Sequence, residues 1–224
     1  MRLSIIVPVL NEARVLPGLL EHLLPLVRHG CEVIIADGGS EDGSANIAEY
    51  AGFTVVRAFR GRARQMNAGA ARAIGTVLLF LHADTQLPDG AGVLVVQALS
   101  GSAHRWGRFD VCISGRPFML RVVGHMMNLR SRWSGIATGD QAMFVTRIAF
   151  EAVGGFPDQP LMEDIELSKR LCAFSRPACI ARCVTTSGRR WERRGVWRTI
   201  FLMWRLRWDY WRGVPVQRLA KIYR

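Results

Sequence analysis

The sequence predicts an α/β domain, a mostly parallel sheet flanked by helices, with a basic aromatic helix at its C-terminal end. Three observations carry that prediction. Through Asp84 the chain alternates apolar runs with segments of helical periodicity in the order βαβαβαβ. The fourth run, Leu78-Leu79-Phe80-Leu81, is apolar throughout, as a strand covered on both faces must be, and it stops at His82-Ala83-Asp84. Finally, eleven of the 30 Lys and Arg residues lie between Arg189 and Arg224, interleaved with tryptophan.

Each element has its own justification. Leu3 to Val9 is a β-branched run, and after Asn11-Glu12 the residues Leu16, Leu19, Leu20, Leu23, Leu24 and Val27 recur at helical spacing. A second strand, Glu32 to Ala36, ends at Asp37-Gly38-Gly39-Ser40 and leads into a short helix reaching about Ala51. A third, Phe53 to Ala58, passes through Arg60-Gly61-Arg62 into an alanine-rich helix, Ala63 to Ala73. Beyond the fourth strand, a helix over 90–99 and a strand over 107–113 are expected. The amphipathic stretch 118–133 carries Met119, Val122, Val123, Met126 and Met127, a stripe expected to face the core. Gly139-Asp140-Gln141 reads as a polar loop entering a strand, Gly154-Gly155-Phe156-Pro157 as a turn, and Met162-Glu163-Asp164 as the start of a helix. If 196–212 is helical, Arg194, Arg198, Arg205, Asp209 and Arg212 share a narrow face. Trp197, Ile200, Phe201, Met203, Trp204, Trp208 and Trp211 fill much of the rest. Such a helix suits docking on its own domain or lying at a membrane interface.

Composition narrows the class. At 224 residues, half of them hydrophobic, the chain can bury one sizeable core and an appendage. No apolar run approaches the ~20 residues needed to span a bilayer. The chain enters its first strand after one basic residue, without a cleavage-site pattern, so no secretory leader is expected. Five cysteines, odd in number and without zinc-ligand or C-x-x-C spacing, are expected to be small buried thiols in a reducing, cytosolic compartment. The net charge is +12, of which the segment after Gly188 carries +9, so basicity belongs to the appendage. Its partner by charge is membrane phosphate, nucleic acid or an anionic substrate.

Polar residues gather where strands end: Asn11 and Glu12 after the first, Asp37 after the second, Arg60 and Arg62 after the third, His82 and Asp84 after the fourth. In a parallel sheet these ends share one edge, where open α/β sheets bind ligands. Singly, Asn11, Asp37 and Asp84 are ordinary turn or cap residues; together they supply the carboxylates, cations and close-approach glycines that a nucleotide requires. Neither G-x-G-x-x-G after the first strand nor G-x-x-x-x-G-K-[ST] is present, which argues against a dinucleotide dehydrogenase and a P-loop enzyme.

Ser4 to Glu12, Asp37 to Gly43, Asn67-Ala68-Gly69 and Phe80 to Asp84, in this order and spacing, resemble the nucleotide-binding half of the family 2 glycosyltransferases. The resemblance implies a GT-A fold, a nucleotide-diphosphate sugar donor with UDP preferred over GDP, and a divalent metal, manganese or magnesium. It divides the chain into a transferase domain, 1–188, and the basic amphipathic segment 189–224. The donor half is about 1–90 and the acceptor half about 91–188. It implies that Pro8, Asn11, Glu12 and Asp37 line the base and ribose site, with Arg62, Gln65 and Asn67 near donor phosphate or sugar. Asp84 would be the metal ligand of the D-x-D motif. His82 stands where the first Asp of that motif belongs, as in a short bacterial type with His-Ala-Asp, and imidazole suits manganese better than magnesium.

The acidic pair after the Gly-Gly-Phe turn, Glu163-Asp164, resembles the family's general base, usually the Asp. An inverting displacement needs one such carboxylate within reach of the acceptor hydroxyl. Gly139, Asp140 and Gln141 are assigned to the acceptor, which is unidentified; similar enzymes often use lipid-linked ones. Expected partners are therefore the donor, that acceptor, and a peripheral membrane contact or a second copy through 196–212, at the inner face of the cell membrane. Arg189-Arg190-Trp191 can instead close over the donor diphosphate. Three other classes fit part of the pattern. A non-catalytic nucleotide-sugar-binding protein would tolerate Asp164→Asn. A basic nucleic-acid-binding protein would use the aromatics for stacking, although here they follow a helical arc and no binding module is recognisable. A nucleotidyltransferase should carry a glycine-rich loop after the first strand, where this chain has Pro8-Val9-Leu10-Asn11-Glu12.

Overall fold

The computed structural model describes residues 1–223; Arg224, the last of the basic residues in the tail, lies outside the described residues. The first half alternates as expected through β1 (Leu3–Val9), α1 (Leu16–Arg28), β2 (Glu32–Asp37), α2 (Ser44–Tyr50), β3 (Thr54–Arg57), α3 (Arg62–Arg72) and β4 (Val77–Phe80). There follow β5 (Thr85–Gln86), α4 (Ala91–Leu99), β6 (Trp106–Ser114), α5 (Met119–Ser134), β7 (Phe144–Thr146), α6 (Arg147–Ala152), α7 (Glu163–Cys172) and β8 (Ala178–Ser187). The tail is three helices rather than one: α8 (Arg189–Arg194), α9 (Val196–Trp211) and α10 (Val216–Tyr223). Gly195 and Gly213, both in the left-handed region, separate them.

One eight-stranded sheet runs β3-β2-β1-β4-β7-β6-β8-β5. The first four strands are parallel, β7 is antiparallel to β4 and β6, and β8 returns parallel to β6. Alternation along β1 builds both layers. Ile5, Val7 and Val9 meet Leu16, Leu20 and Leu23 of α1 and Val95 of α4. Ile6 turns the other way, toward Met66 and Ala70 of α3 and Leu167 of α7. Because β4 is central, Val77, Leu78 and Leu79 have no exposed surface, and their carboxyl ends open onto the shared edge. A third cluster joins Leu161, Met162 and Ile165 at the start of α7 to Leu206 of α9 and Leu219 of α10, so the tail docks on the domain.

Two expectations need correction. The stripe on α5 faces the core only in part: Val123 and Met127, half-buried, pack on it, Met119 is half-buried, and Val122 and Met126 are exposed. The buried face is instead Leu120, Gly124 and Ser131, because α5 lies close along β6 and a Cβ at Gly124 would sit 3.1 Å from the Val111 carbonyl. Here β7 has stopped pairing, and the Asn128 side chain takes its place, accepting from the Val111 N–H (2.8 Å) and donating to the Val111 carbonyl (3.0 Å). Nor are the cysteines buried: all five are free, Cys112 is exposed and the others half-buried.

Candidate active site

The loops after β1 and β2 are built as one unit. The Asn11 N–H donates to Ser40 Oγ (2.9 Å), Asn11 Oδ1 accepts from the Glu41 N–H (2.9 Å), and the Glu12 N–H donates to Ser44 Oγ (2.9 Å). Asp37 is buried, its carboxylate accepting from the Gly39 (3.0 Å) and Ser40 (3.1 Å) N–H groups. Gln65, buried on α3, donates through Nε2 to the Val9 (2.6 Å) and Ala36 (2.9 Å) carbonyls and so holds the ends of β1 and β2 together. Pro8 is half-buried just before that tie. Three non-glycine residues adopt positive φ, Asn11 (56°), Ala142 (44°) and Met162 (64°), and each adjoins an expected site residue. Strain of this kind collects at functional sites.

Asp84 follows β4, exposed, with no hydrogen bond to its carboxylate among the described residues. It lines a cleft of about 430 Å³ together with Thr85, Gln86, Ser114, Thr185, Ser187 and Arg189. Glu12 faces it: burial first, then repulsion from Asp84, push the Glu12 pKa above its ordinary value, with Arg189 opposing. Two mutually repelling, unpaired carboxylates beside an open cleft fit a divalent cation held by few protein ligands and completed by diphosphate oxygens or water. No group of three or more metal-ligating side chains occurs among the described residues. A larger cavity, about 690 Å³, lies at the other end of β1 beside Met1, His22 and Cys31, away from the strand ends where these groups gather.

The other expected residues meet through a charged network. Arg62 Nε lies 2.9 Å from Glu163 Oε1, off the hydrogen-bonding direction, and Glu163 is 2% exposed. The second arm of Arg62 reaches His82 Nε2 (3.3 Å), and His82 Nδ1 lies 3.2 Å from Asp140 Oδ1. Both ring nitrogens therefore face protein groups. Burial pushes the Glu163 pKa up, the Arg62 charge opposing. Burial acts the same way on Asp140, but the His82 hydrogen bond and the charges of His82, Arg62 and Arg190 outweigh it and hold that carboxyl below its usual range. Asp164 is half-buried, with Oδ2 accepting from the Gly139 N–H (2.8 Å) and Oδ1 from the Ile165 N–H (2.8 Å). Only a glycine fits at 139, since a Cβ there would collide with the His82 ring.

Two further expected site residues, like Gln65, bond the backbone. Gln141 is fully buried, accepting from the Thr138 N–H (3.2 Å) and donating to Asn128 Oδ1 (3.3 Å), which fixes the turn presenting Gly139 and Asp140. Asn67 donates to the Phe156 carbonyl (2.8 Å) and accepts from its N–H (3.0 Å), so α3 clamps the Gly-Gly-Phe turn ahead of Glu163. Gly155 in that turn has φ of 68°, and a Cβ would lie 2.8 Å from Asn67 Oδ1.

Two residues that sequence reasoning missed also face this network. Arg130 of α5 feels the charges of Asp164 and Asp140, and its Nε and one terminal nitrogen are buried without a hydrogen-bond partner. Tyr223 of α10 faces the charges of Arg62, Asp140 and Asp164; the Arg190 guanidinium stacks 3.6 Å from its ring centroid and donates to its carbonyl (2.9 Å). No local pattern announces either one, because each arrives from an element distant in sequence. Arg189 and Arg190 part company: the first lines the Asp84 cleft, the second holds Tyr223.

Known proteins resemble this chain in sequence and fold. A PGL/p-HBAD biosynthesis glycosyltransferase of Mycobacterium bovis is 30% identical over 159 residues, covering 67% of this chain and 57% of its own. The chain thus spans little more than half the length of that curated relative. Among solved structures, S. aureus TarS (residues 1–349) superposes with a TM-score of 0.67 at 16% identity, covering 84% of this chain and 61% of that one. Glucosyl-3-phosphoglycerate synthase from Mycobacterium tuberculosis, solved with Mn2+, UDP and glucosyl-3-phosphoglycerate, gives 0.60 at 20% identity over 83% and 70%. These neighbours establish the GT-A fold. The family described as Glycosyl transferase family 2 matches residues 4–147, which hold most of the sheet and Asp84 but not Thr185, Ser187 and Arg189 across the cleft, and the chain belongs to that family.

Proposed function

We propose that this protein is an inverting glycosyltransferase that moves a sugar from a nucleoside-diphosphate donor, UDP before GDP, to a hydroxyl acceptor by direct displacement. The observation that carries the reading is the division of carboxylates at one sheet edge. Asp84 is exposed and unpaired beside the cleft, whereas Asp164 is half-buried and oriented by two backbone N–H groups. Asn11, Glu12 and Asp37, with Pro8, border the nucleotide on the rigid β1–β2 edge. Asp84 would hold a divalent cation, Mn2+ or Mg2+, with Glu12 beside it. Such an ion neutralises charge on the departing diphosphate, and the neighbour solved with Mn2+ and UDP supports that role. Arg189, at the same cleft, is placed to meet diphosphate oxygens.

Asp164 takes the proton from the acceptor hydroxyl as that oxygen attacks the anomeric carbon. It is preferred to Glu163, which lies buried under Arg62 and out of an acceptor's reach. His82, engaged through both nitrogens, positions Arg62 and Asp140 around that base. A single base and direct displacement, with no covalent intermediate, imply inversion.

The test is turnover of UDP- and GDP-sugars with a panel of hydroxyl acceptors, read as nucleoside diphosphate released and as the anomeric configuration of the product by NMR. The expected result is release that requires Mn2+ or Mg2+, is lost with chelator, and gives the inverted anomer. A retained anomer, or equal release in chelator, contradicts the mechanism.

A further inference from the structure

Two helices leave large apolar side chains in water. On α5, Phe118, Val122, Met126, Leu129 and Trp133 follow one another at intervals of three and four residues, and Phe118 and Trp133 are 71% and 87% exposed. On α9, Trp197, Phe201, Trp204, Trp208 and Trp211 do the same, each more than half exposed. Neither stripe is needed for packing, since α5 buries Leu120, Gly124 and Ser131 and α9 buries Thr199 and Leu206. Stripes this long and aromatic are rare on a surface that faces only water.

Neighbouring segments link the two helices. The Arg116 N–H before α5 donates to Glu192 Oε1 of α8, the helix that leads into α9 (2.8 Å). Ile136, just past α5, and Leu202, Met203 and Tyr210, from the middle and end of α9, pack on the same cluster around Leu161 and Ile165. The exposed charges nearby are predominantly cationic: Arg116 and Arg121 at α5, Arg193, Arg198 and Arg212 at α8 and α9, against Glu192 on α8. Among the described residues no helix is long and apolar enough to cross a bilayer, so a lipid contact would be interfacial.

We infer that the exposed stripes of α5 and α9 form one surface that docks on an anionic phospholipid bilayer, the aromatic rings at headgroup depth and the arginines on lipid phosphate. Indole rings favour that depth, and cationic residues near anionic lipid add to the attraction. Charge selects the bilayer over a second copy, since two such faces would bring like-charged tails together. The surface also borders the site: Arg130 on α5 faces Asp164, and Arg190, ahead of α9, faces Asp140. On the transferase reading, docking would present a lipid-embedded hydroxyl acceptor to Asp164; lipid binding itself does not depend on that reading.

The test is sedimentation of the full chain with vesicles of phosphatidylcholine alone or mixed equally with phosphatidylglycerol, without donor or acceptor. Partitioning should be at least ~10-fold stronger on the anionic vesicles and weaken as salt rises above about 0.1 M. Phe118→Ser with Trp133→Ser, and separately Trp204→Ser with Trp208→Ser, should each weaken it ~10-fold, and Arg198→Gln with Arg212→Gln should reduce the preference for anionic lipid. Because all six side chains are exposed, unchanged thermal melts are expected and confirm that folding is intact. Equal binding to neutral vesicles, no binding, full binding by the α5 variant, or a wild-type dimer that the tryptophan variant dissociates would each overturn the inference. Calorimetric nucleotide binding by the same variants reads the donor site separately.

Discussion

Asp164→Asn lowers the transfer rate about a thousandfold, while nucleotide affinity stays within about twofold of wild type. The amide keeps its one oxygen for the Gly139 N–H and gives up the bond from the Ile165 N–H, and it cannot accept the acceptor's proton. A positioned general base contributes between ~10² and ~10⁴ in rate, which sets the scale. Glu163→Gln should behave differently, since its carboxylate is sealed under Arg62: its effect should appear in stability before rate. Nucleoside-diphosphate release by Asp164→Asn at the wild-type rate would assign the base elsewhere, or indicate a binding protein without catalysis.

The second large effect is on folding. Arg62→Met removes the cation that lies against buried Glu163, and breaking such a pair from one side costs at most about 3 kcal/mol, because Arg62 is itself 36% exposed and solvent screens part of the interaction. The pH dependence has a defined sign. Burial raises the native pKa of Glu163 above its ordinary 4.5, and Arg62 opposes that rise. Without Arg62 the native pKa climbs further, so over a wider range the native state holds a proton that the unfolded state has released. Stability relative to wild type is therefore nearly preserved until the pH passes the native pKa of Glu163 in the wild type, itself above 4.5, and falls as pH rises further, until Glu163 ionises in the folded variant. Urea unfolding at several pH values checks this, and a deficit that shrinks toward high pH would contradict it.

The first four strands were legible in the sequence because their signals are local. Each strand from β1 to β4 centres on a short apolar run, the helices between them have their own period, and polar residues stand where the runs stop. The second half of the chain was less so. β8 drew no expectation because a register shift opposite Phe109 and Asp110 breaks its alternation, leaving Arg182 and Cys183 inside the strand. The orientation of α5 could not be read from periodicity, which shows an apolar arc without saying that Gly124 must meet the β6 backbone. Gln65 and Asn67 were legible as polar residues near the cleft, yet their partners, Val9 with Ala36 and Phe156, are fixed only by tertiary structure. Arg130 and Tyr223 show the limit most clearly, as two residues 93 positions apart that turn toward the same acids. For α9, docking and an exposed aromatic face proved compatible: Leu206 packs inward while Trp204 and Trp208 remain in water.

The most direct test of the central claim, that the carboxyl edge around Asp84 is a metal-assisted nucleotide site, is calorimetric titration of UDP and GDP into the wild type and Asp84→Ala, each with and without Mn2+. The account predicts binding by the wild type that strengthens with Mn2+ at least ~10-fold, and loss of that enhancement in Asp84→Ala without any change in folding. Failure of the folded wild type to bind either nucleotide with Mn2+, or full Mn2+ enhancement in Asp84→Ala, would contradict it.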